Sequence, residues 1–272
     1  IIMRRPVIAL LTDFGDEDWF VASLKAVILN LNPRARIVDI SHLIPSFDVD
    51  AAGFVLFAAS KYFPMGTIFL VVVDPGVGSD RKLLLVETAR YFFIAPDNGV
   101  LSPALAGEKI KQVRQVANSR YFLRRSSRTF EARDKMAPAA AWLSLGQKVE
   151  SFGPKLRRYV EKTFPQPEFV GHEIRGRILY ADKFGNLITN IPASAVKAVR
   201  TGRSAKKLSL FINASRVGCF RESYASARKG ELFFLVGSLG LIEIAGRESS
   251  AFKRIKPKPE AVVRIAGVDL KE

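Results

Sequence analysis

Short apolar runs alternate with segments of helical periodicity through the first half of the chain. Residues 7–11 are an apolar run that ends in Thr12-Asp13-Phe14-Gly15, so a strand leads into a polar turn. Over residues 17–31, Phe20, Leu24, Val27, Ile28 and Leu31 share one helical face, and Pro33 closes that helix. A second strand over 36–40 and a second helix over 51–62 follow, the latter ending near Pro64. Residues 67–73 form a near-continuous, largely β-branched run, the pattern of a strand buried on both faces. Strands over 83–87 and 91–95 lead to a Pro96-Asp97-Asn98-Gly99 turn, and a helix over 135–145 carries Pro138 in its first turn. Repeated strand–helix–strand order predicts an α/β N-terminal domain with a mainly parallel sheet over residues 1–150. Ligands of such sheets bind beyond the carboxyl ends of the strands, so polar residues just after strands are the candidates to inspect.

The texture changes after Ser151. Pro154, Pro165 and Pro167, with charged residues between them, predict a linker over 151–170. Beyond it, strand candidates over 173–180, 187–191, 207–212, 231–236, 241–245 and 261–265 are separated by turn signals and show little helical periodicity. That spacing predicts a smaller all-β domain over 171–272, a barrel or a sandwich.

Composition narrows the picture. The 272 residues are 48% hydrophobic and 25% charged, which excludes a disordered or fibrous chain. A single cysteine, Cys219, excludes an intrachain disulfide framework and points to a reducing, cytoplasmic setting. No apolar run approaches the roughly 20 residues of a membrane span. The start, through Met3, leads into the first strand with no small-residue cleavage site, so no signal peptide is expected. The net charge of +16 is uneven: residues 1–100 carry 9 Lys/Arg against 11 Asp/Glu, and residues 101–272 carry 33 against 15. The basic half allows a nucleic-acid-binding reading, but its runs (Arg124-Arg125, Arg157-Arg158, Lys206-Lys207, and Lys253 to Lys258) lack interleaved aromatics, so a solvated basic surface is preferred. With only His42 and His172 beside that cysteine, no metal site is expected, and the phosphate-loop, dinucleotide and Gly-x-Ser-x-Gly signatures do not occur.

Several polar segments can carry chemistry. Asp13, after the first strand, can accept hydrogen bonds from a ribose diol or cap the following helix. In Asp74-Pro75-Gly76-Val77-Gly78-Ser79-Asp80-Arg81, a hairpin-like return brings Asp74 to Arg81, as an orienting pair for a polar nucleophile or as a structural salt bridge. Phe130 can stack on a base, and Glu131 can act as a base or hold an Arg; a solvated helix start is the plainer role for that Glu. The Asp182-Lys183-Phe184-Gly185-Asn186 turn offers carboxylate, amide and aromatic groups suited to an amino acid, or is simply a hairpin turn. His42 is expected to pack near the end of the second strand.

Taken in order, Leu11-Thr12-Asp13-Phe14-Gly15, Asp39-Ile40-Ser41-His42, Val72-Val73-Asp74-Pro75-Gly76-Val77-Gly78, Ala95-Pro96-Asp97-Asn98-Gly99, Phe184-Gly185-Asn186-Leu187-Ile188-Thr189-Asn190 and Gly237-Ser238-Leu239-Gly240-Leu241 resemble one family. It is the adenosine-forming S-adenosylmethionine hydrolases, related to fluorinase and chlorinase. The resemblance implies an α/β domain followed by a β-barrel, and a homotrimer whose ligand lies between one subunit's first domain and a neighbour's second. It further implies a small-molecule substrate, S-adenosyl-L-methionine, with no additional cofactor and no membrane. By position, Asp13 would hold the ribose hydroxyls and Phe47 would line the ribose and C5′. Asp182, Phe184, Asn186 and Ser238 would surround the adenine and methionine parts. Asp74 and Arg81 match the hydrolases' Asp and Arg, which favours water over halide as nucleophile. The chain departs from the family where Thr129-Phe130-Glu131-Ala132-Arg133-Asp134 stands in place of Thr-Phe-His-Gly-Arg-Asp. Glu131 then replaces the family His as base or Arg anchor, or the chain binds the ligand with little turnover.

Overall fold

The computed structural model describes residues 7–124, 127–171, 173–195, 207–213, 215–258 and 261–268; Met3, Arg125, His172 and Lys206 lie outside them. The chain divides into two compact units, residues 1–164 and 165–272.

The first unit is built on six strands: β1 Val7–Thr12, β2 Arg36–Ser41, β3 Ile68–Val72, β4 Leu83–Thr88, β5 Phe92–Pro96 and β6 Ile110–Gln115. Their order is β2-β1-β3-β5-β4-β6, parallel from β2 to β5 and antiparallel at β4 and β6. The β-branched run is β3, which is buried along its whole length between β1 and β5. Strand β6 went unread in the sequence because, as an edge strand of alternating Lys, Gln and Arg, it fully buries only Val113.

Among the described residues this unit carries four α-helices: α1 Phe20–Leu31, α2 Val49–Ser60, the short α3 Ser102–Leu105 and α4 Ala137–Ser144. Helix α1 starts three residues later than its periodicity suggests, because Glu17, Asp18 and Trp19 lie in an exposed bend. Asp48 caps α2 by accepting the Ala51 N–H at 2.9 Å. Leu24 and Ile28 of α1 and Ala137, Ala139, Ala140 and Ala141 of α4 pack in one core with Ile8, Leu10, Leu70 and Ile94 of the sheet. The small alanine side chains let the two helices approach closely. Residues 154–164 run along this unit: the Val160 N–H donates to Asp97 Oδ1 at 2.7 Å, the Lys162 N–H to Ser102 Oγ at 2.8 Å, and the Phe164 ring lies 5.8 Å from Phe57.

The second unit holds β7 Glu168–Val170, β8 Glu173–Ala181, β9 Leu187–Pro192, β10 Lys207–Ile212, β11 Ser215–Phe220, β12 Leu232–Val236, β13 Leu241–Gly246 and β14 Val262–Val268. The order is β14-β10-β11-β12-β13-β9-β8-β7, and the pairing of β14 with β8 closes seven of these strands into a barrel. This settles the choice between barrel and sandwich. Its interior is Ile174, Leu187, Leu210, Phe234, Ile242, Ile244, Val263 and Ile265, all fully buried. One pairing is parallel, β11 with β12, among otherwise antiparallel neighbours. A short helix, α5 Ala251–Ile255, follows β13. Among the described residues no helix is long and apolar enough to cross a membrane, and no cluster of His, Cys, Asp and Glu could hold a metal ion.

Candidate active site

The carboxyl ends of β1 and β3 open into a cavity of about 280 Å³ in the first unit. Asp13, Phe14, Phe47, Val72, Asp74, Phe130 and Glu131 are among its lining residues. Five sequence candidates therefore meet in one place, where a largely parallel sheet should put them.

Asp13 does not cap a helix, since α1 begins only at Phe20. Its Oδ2 instead accepts the Phe47 N–H at 2.8 Å. Phe47 sits at φ 68°, in the left-handed region a Phe rarely adopts, and is 69% exposed. The Gly15 N–H donates to the His42 carbonyl at 2.8 Å, tying the turns after β1 and β2 together. His42 is buried at the end of β2 as expected: Nδ1 lies 2.9 Å from Thr12 Oγ1, and Nε2 lies 3.1 Å from Asp39 Oδ1. Asp39 also pairs with Lys25 at 2.6 Å. Burial works against the Asp39 carboxylate, but bonds to Lys25 and His42 outweigh it and hold its pKa below the usual range.

The loop after β3 folds back as a tight return. The Val77 and Ser79 N–H groups donate to the Asp74 and Gly76 carbonyls, and Gly78 supplies the left-handed φ of 81° that the return requires. Arg81 thereby meets Asp74: its Nε lies 2.8 Å from both carboxylate oxygens, and its Nη2 also donates to Oδ2. The same Nη2 sits 2.6 Å from Glu131 Oε2 in a charge contact without aligned hydrogen-bond geometry, and Glu131 Oε1 accepts from Lys135 Nζ at 2.5 Å. Glu131 is thus 6% exposed and paired with two cations, not a solvated helix-start residue. Burial would raise its pKa, but Lys135 and Arg81 outweigh that and hold it below the usual carboxylate range. For Arg81, burial favours loss of the proton, and the two carboxylates reverse this and raise its pKa.

Glu131 is followed by a π-helical turn, Ala132–Met136, that runs into α4. Such insertions often re-aim side chains at functional sites. Here the Phe130 ring packs edge-on to Phe14 and Phe20, at 5.8 and 5.3 Å, while Arg133 lies over it at 4.8 Å. Three carboxylates and a set of aromatic rings thus face the cavity. The cations Arg81 and Lys135 contact the carboxylates but are not among the lining residues.

The other candidates lie in the second unit. Asp182 Oδ1 accepts the Phe184 and Asn186 N–H groups at 2.9 and 2.8 Å, and its Oδ2 accepts from Asn186 Nδ2 at 2.9 Å. This fixes Asn186, 7% exposed, and leaves Phe184 68% exposed. Ser238 is exposed in a separate turn between β12 and β13. The sequence reading missed what stands beside them: Tyr224 OH lies 3.4 Å from Asn186 Nδ2 and hydrogen-bonds the Glu243 carboxylate. Burial raises the Glu243 pKa, with Tyr224 partly offsetting it and Asp182 adding repulsion; burial and then Glu243 push up the Tyr224 phenol. Lys135 was missed too, although a Lys four residues after a Glu at a helix start is a legible pairing signal.

An α/β unit with a carboxylate–guanidinium pair beyond its strand ends, followed by a closed barrel with a polar turn, defines a class of two-domain enzymes. Residues 8–153 match the SAM hydroxide adenosyltransferase N-terminal domain and residues 176–264 match the C-terminal domain of the same family. The chain belongs to that family. It is 32% identical over 268 residues to an (R)-S-adenosyl-L-methionine hydrolase of Thermus thermophilus, covering 96% of this chain and 99% of that one. It is 26% identical over 230 residues to a fluorinase of Nocardia brasiliensis, covering 75% and 77%. The crystal structure of a conserved protein from Thermotoga maritima superposes with a TM-score of 0.89 at 33% identity, over 95% of this chain and 99% of that one.

Proposed function

We propose that this chain hydrolyses S-adenosyl-L-methionine to adenosine and L-methionine at the cavity of the first unit. Asp74 in the cavity wall, held from behind by Arg81, carries the reading: it offers a fixed acceptor to a water molecule beside aromatic surface suited to a nucleoside. The substrate is a sulfonium cation, and with Asp74 and Glu131 balanced by Arg81 and Lys135 the lining's third carboxylate, Asp13, is the one that complements it. The water attacks C5′ in line with the C–S bond. As the C–O bond forms, the C–S electron pair passes to sulfur, methionine leaves as a neutral thioether, and Asp74 accepts the water's proton. A sulfonium leaving group needs no general acid. Positioning and exclusion of bulk water supply the acceleration. Asp13 holds the ribose hydroxyls, and Phe47 and Phe130 line the sugar and C5′ region.

The barrel's Asp182, Phe184, Asn186 and Ser238 bind the adenine and methionine ends in this proposal, contributed by a neighbouring subunit of a homotrimer. Sedimentation equilibrium at about three chain masses supports that assembly, and a monomer that turns over substrate rejects it. Purified protein incubated with S-adenosylmethionine yields adenosine and methionine in equal amounts; no product above a protein-free control rejects the hydrolase reading.

Glu131 favours a second reading, a binding protein with slow chemistry, because an ionised anchor stands where the relatives' pattern has a His. On that second reading, Glu131→His raises kcat severalfold with KM little changed. Unchanged or lower kcat assigns Glu131 a role of its own.

A further inference from the structure

Two of the cavity's carboxylates, Asp74 and Glu131, are met by two cations, Arg81 and Lys135. Asp74 and Glu131 each reach the single Arg81 Nη2, and their side chains are 8% exposed. Two buried carboxylates sharing one guanidinium would leave a net charge of −1 in a poorly solvated place, and one of them would take up a proton to relieve it. Lys135 supplies the missing charge from the next turn of the helix, 2.5 Å from the Glu131 oxygen that Arg81 does not contact. Its side chain is 25% exposed and its ammonium lies 5.6 Å from the Phe122 ring centre. Glu131 stands at the start of the π-helical turn Ala132–Met136, and Lys135 lies within that turn. The remaining charges nearby are accounted for. Asp13 faces the same cavity, Arg133 is paired with Asp134, Arg128 donates to the Gly78 carbonyl, and Lys25 on the packed helix α1 is tied to Asp39.

We infer that Lys135 is a positioning residue for the reaction: it keeps Glu131 an ionised anchor, so that Arg81 stays locked against both carboxylates and Asp74 stays aimed into the cavity. Lys135 touches no substrate in this scheme and acts through Glu131 alone. The inference deepens the hydrolase reading and rests on it for its kinetic consequence. The electrostatic part stands without turnover.

The test compares wild type with Lys135→Met and Lys135→Arg. Loss of the ammonium lets Glu131 protonate at higher pH, and a protonated Glu131 releases Arg81, so activity falls as pH falls. The ratio of Lys135→Met to wild-type kcat is expected to drop about tenfold between pH 8 and pH 5, with KM changed much less. Lys135→Arg restores a ratio independent of pH. The same loss at every pH would mean a merely structural role and overturn the inference, as would no loss at all. In parallel, ¹³C-glutamate NMR, with the Glu131 signal assigned by Glu131→Gln, follows the carboxyl directly. It is expected to titrate at higher pH in Lys135→Met than in wild type, because the ammonium that favours the ionised carboxylate is gone. Equal titration in the two proteins overturns the inference whether or not the wild type hydrolyses S-adenosylmethionine. A shifted titration in a protein without turnover upholds the positioning of Glu131 and rejects the hydrolase reading instead.

Discussion

Asp74→Ala lowers kcat for S-adenosylmethionine by about 10²–10³-fold, the loss typical of removing a group that holds a reacting partner in place. Two consequences of the truncation act together. The cavity wall loses the acceptor that orients the water, and Arg81 loses the three hydrogen bonds that fix its guanidinium. Arg81 then turns to Glu131, its remaining carboxylate contact, and the alignment is lost even if a water still enters. Asp74→Asn separates charge from shape, because the amide keeps the size but cannot accept the water's proton. A comparable kcat in Asn and Ala variants places the effect on charge. Steady-state kinetics, with thermal melts to confirm folding, read the result. A kcat within threefold of wild type for Asp74→Ala removes this residue from the mechanism.

Gly185→Ala has the largest expected effect on stability. Gly185 sits at φ 83°, and an added Cβ would lie 2.0 Å from Ser250 Oγ, 2.7 Å from its Cβ and 3.2 Å from its Cα. Ser250 cannot simply rotate away: its Oγ accepts the Lys253 N–H at 3.1 Å as the cap of α5, and the Phe252 N–H donates to the Gly185 carbonyl at 2.8 Å. The left-handed conformation alone costs about 1–2 kcal/mol for a residue with a Cβ. Displacing the capped helix start adds a comparable amount. Together they lower Tm by about 5–10 °C. Gly230→Ala is the internal control, with φ 75° and nothing within 4 Å of the added Cβ, so it meets the conformational cost alone. Equal melting shifts for the two variants would show that the Ser250 contact contributes nothing. Because Asp182 and Asn186 flank Gly185 in one hydrogen-bonded turn, the KM of Gly185→Ala should rise if that turn binds substrate.

The elements that could be read from the sequence are those whose burial is one-sided or complete. Strand β3 announced itself because both its faces are covered, and α1 because one face packs in the core. Strands β6 and β11 could not be read, since edge or half-exposed strands carry Lys, Arg and Ser in place of an apolar pattern, and β7 is an exposed strand of only three residues. Asp74 and Arg81 could be paired from sequence because glycines in a short loop confine the return to few conformations. Tyr224 and Glu243 lie 19 residues apart in chain and meet only because β12 and β13 return the backbone, which no local pattern encodes.

Local preferences and periodicity are short-range, and they sufficed for an α/β domain, a β-rich second domain, the strand-end location of the site and the kinds of residue in it. Barrel closure through β14 and β8 joins segments about 90 residues apart, and the parallel β11–β12 pairing depends on how the closed ring fits together. The charge balance at Glu131 belongs to the same level. A single Glu in a sequence carries no charge state of its own; Arg81, 50 positions earlier, and Lys135, one turn later, decide it by where folding puts them.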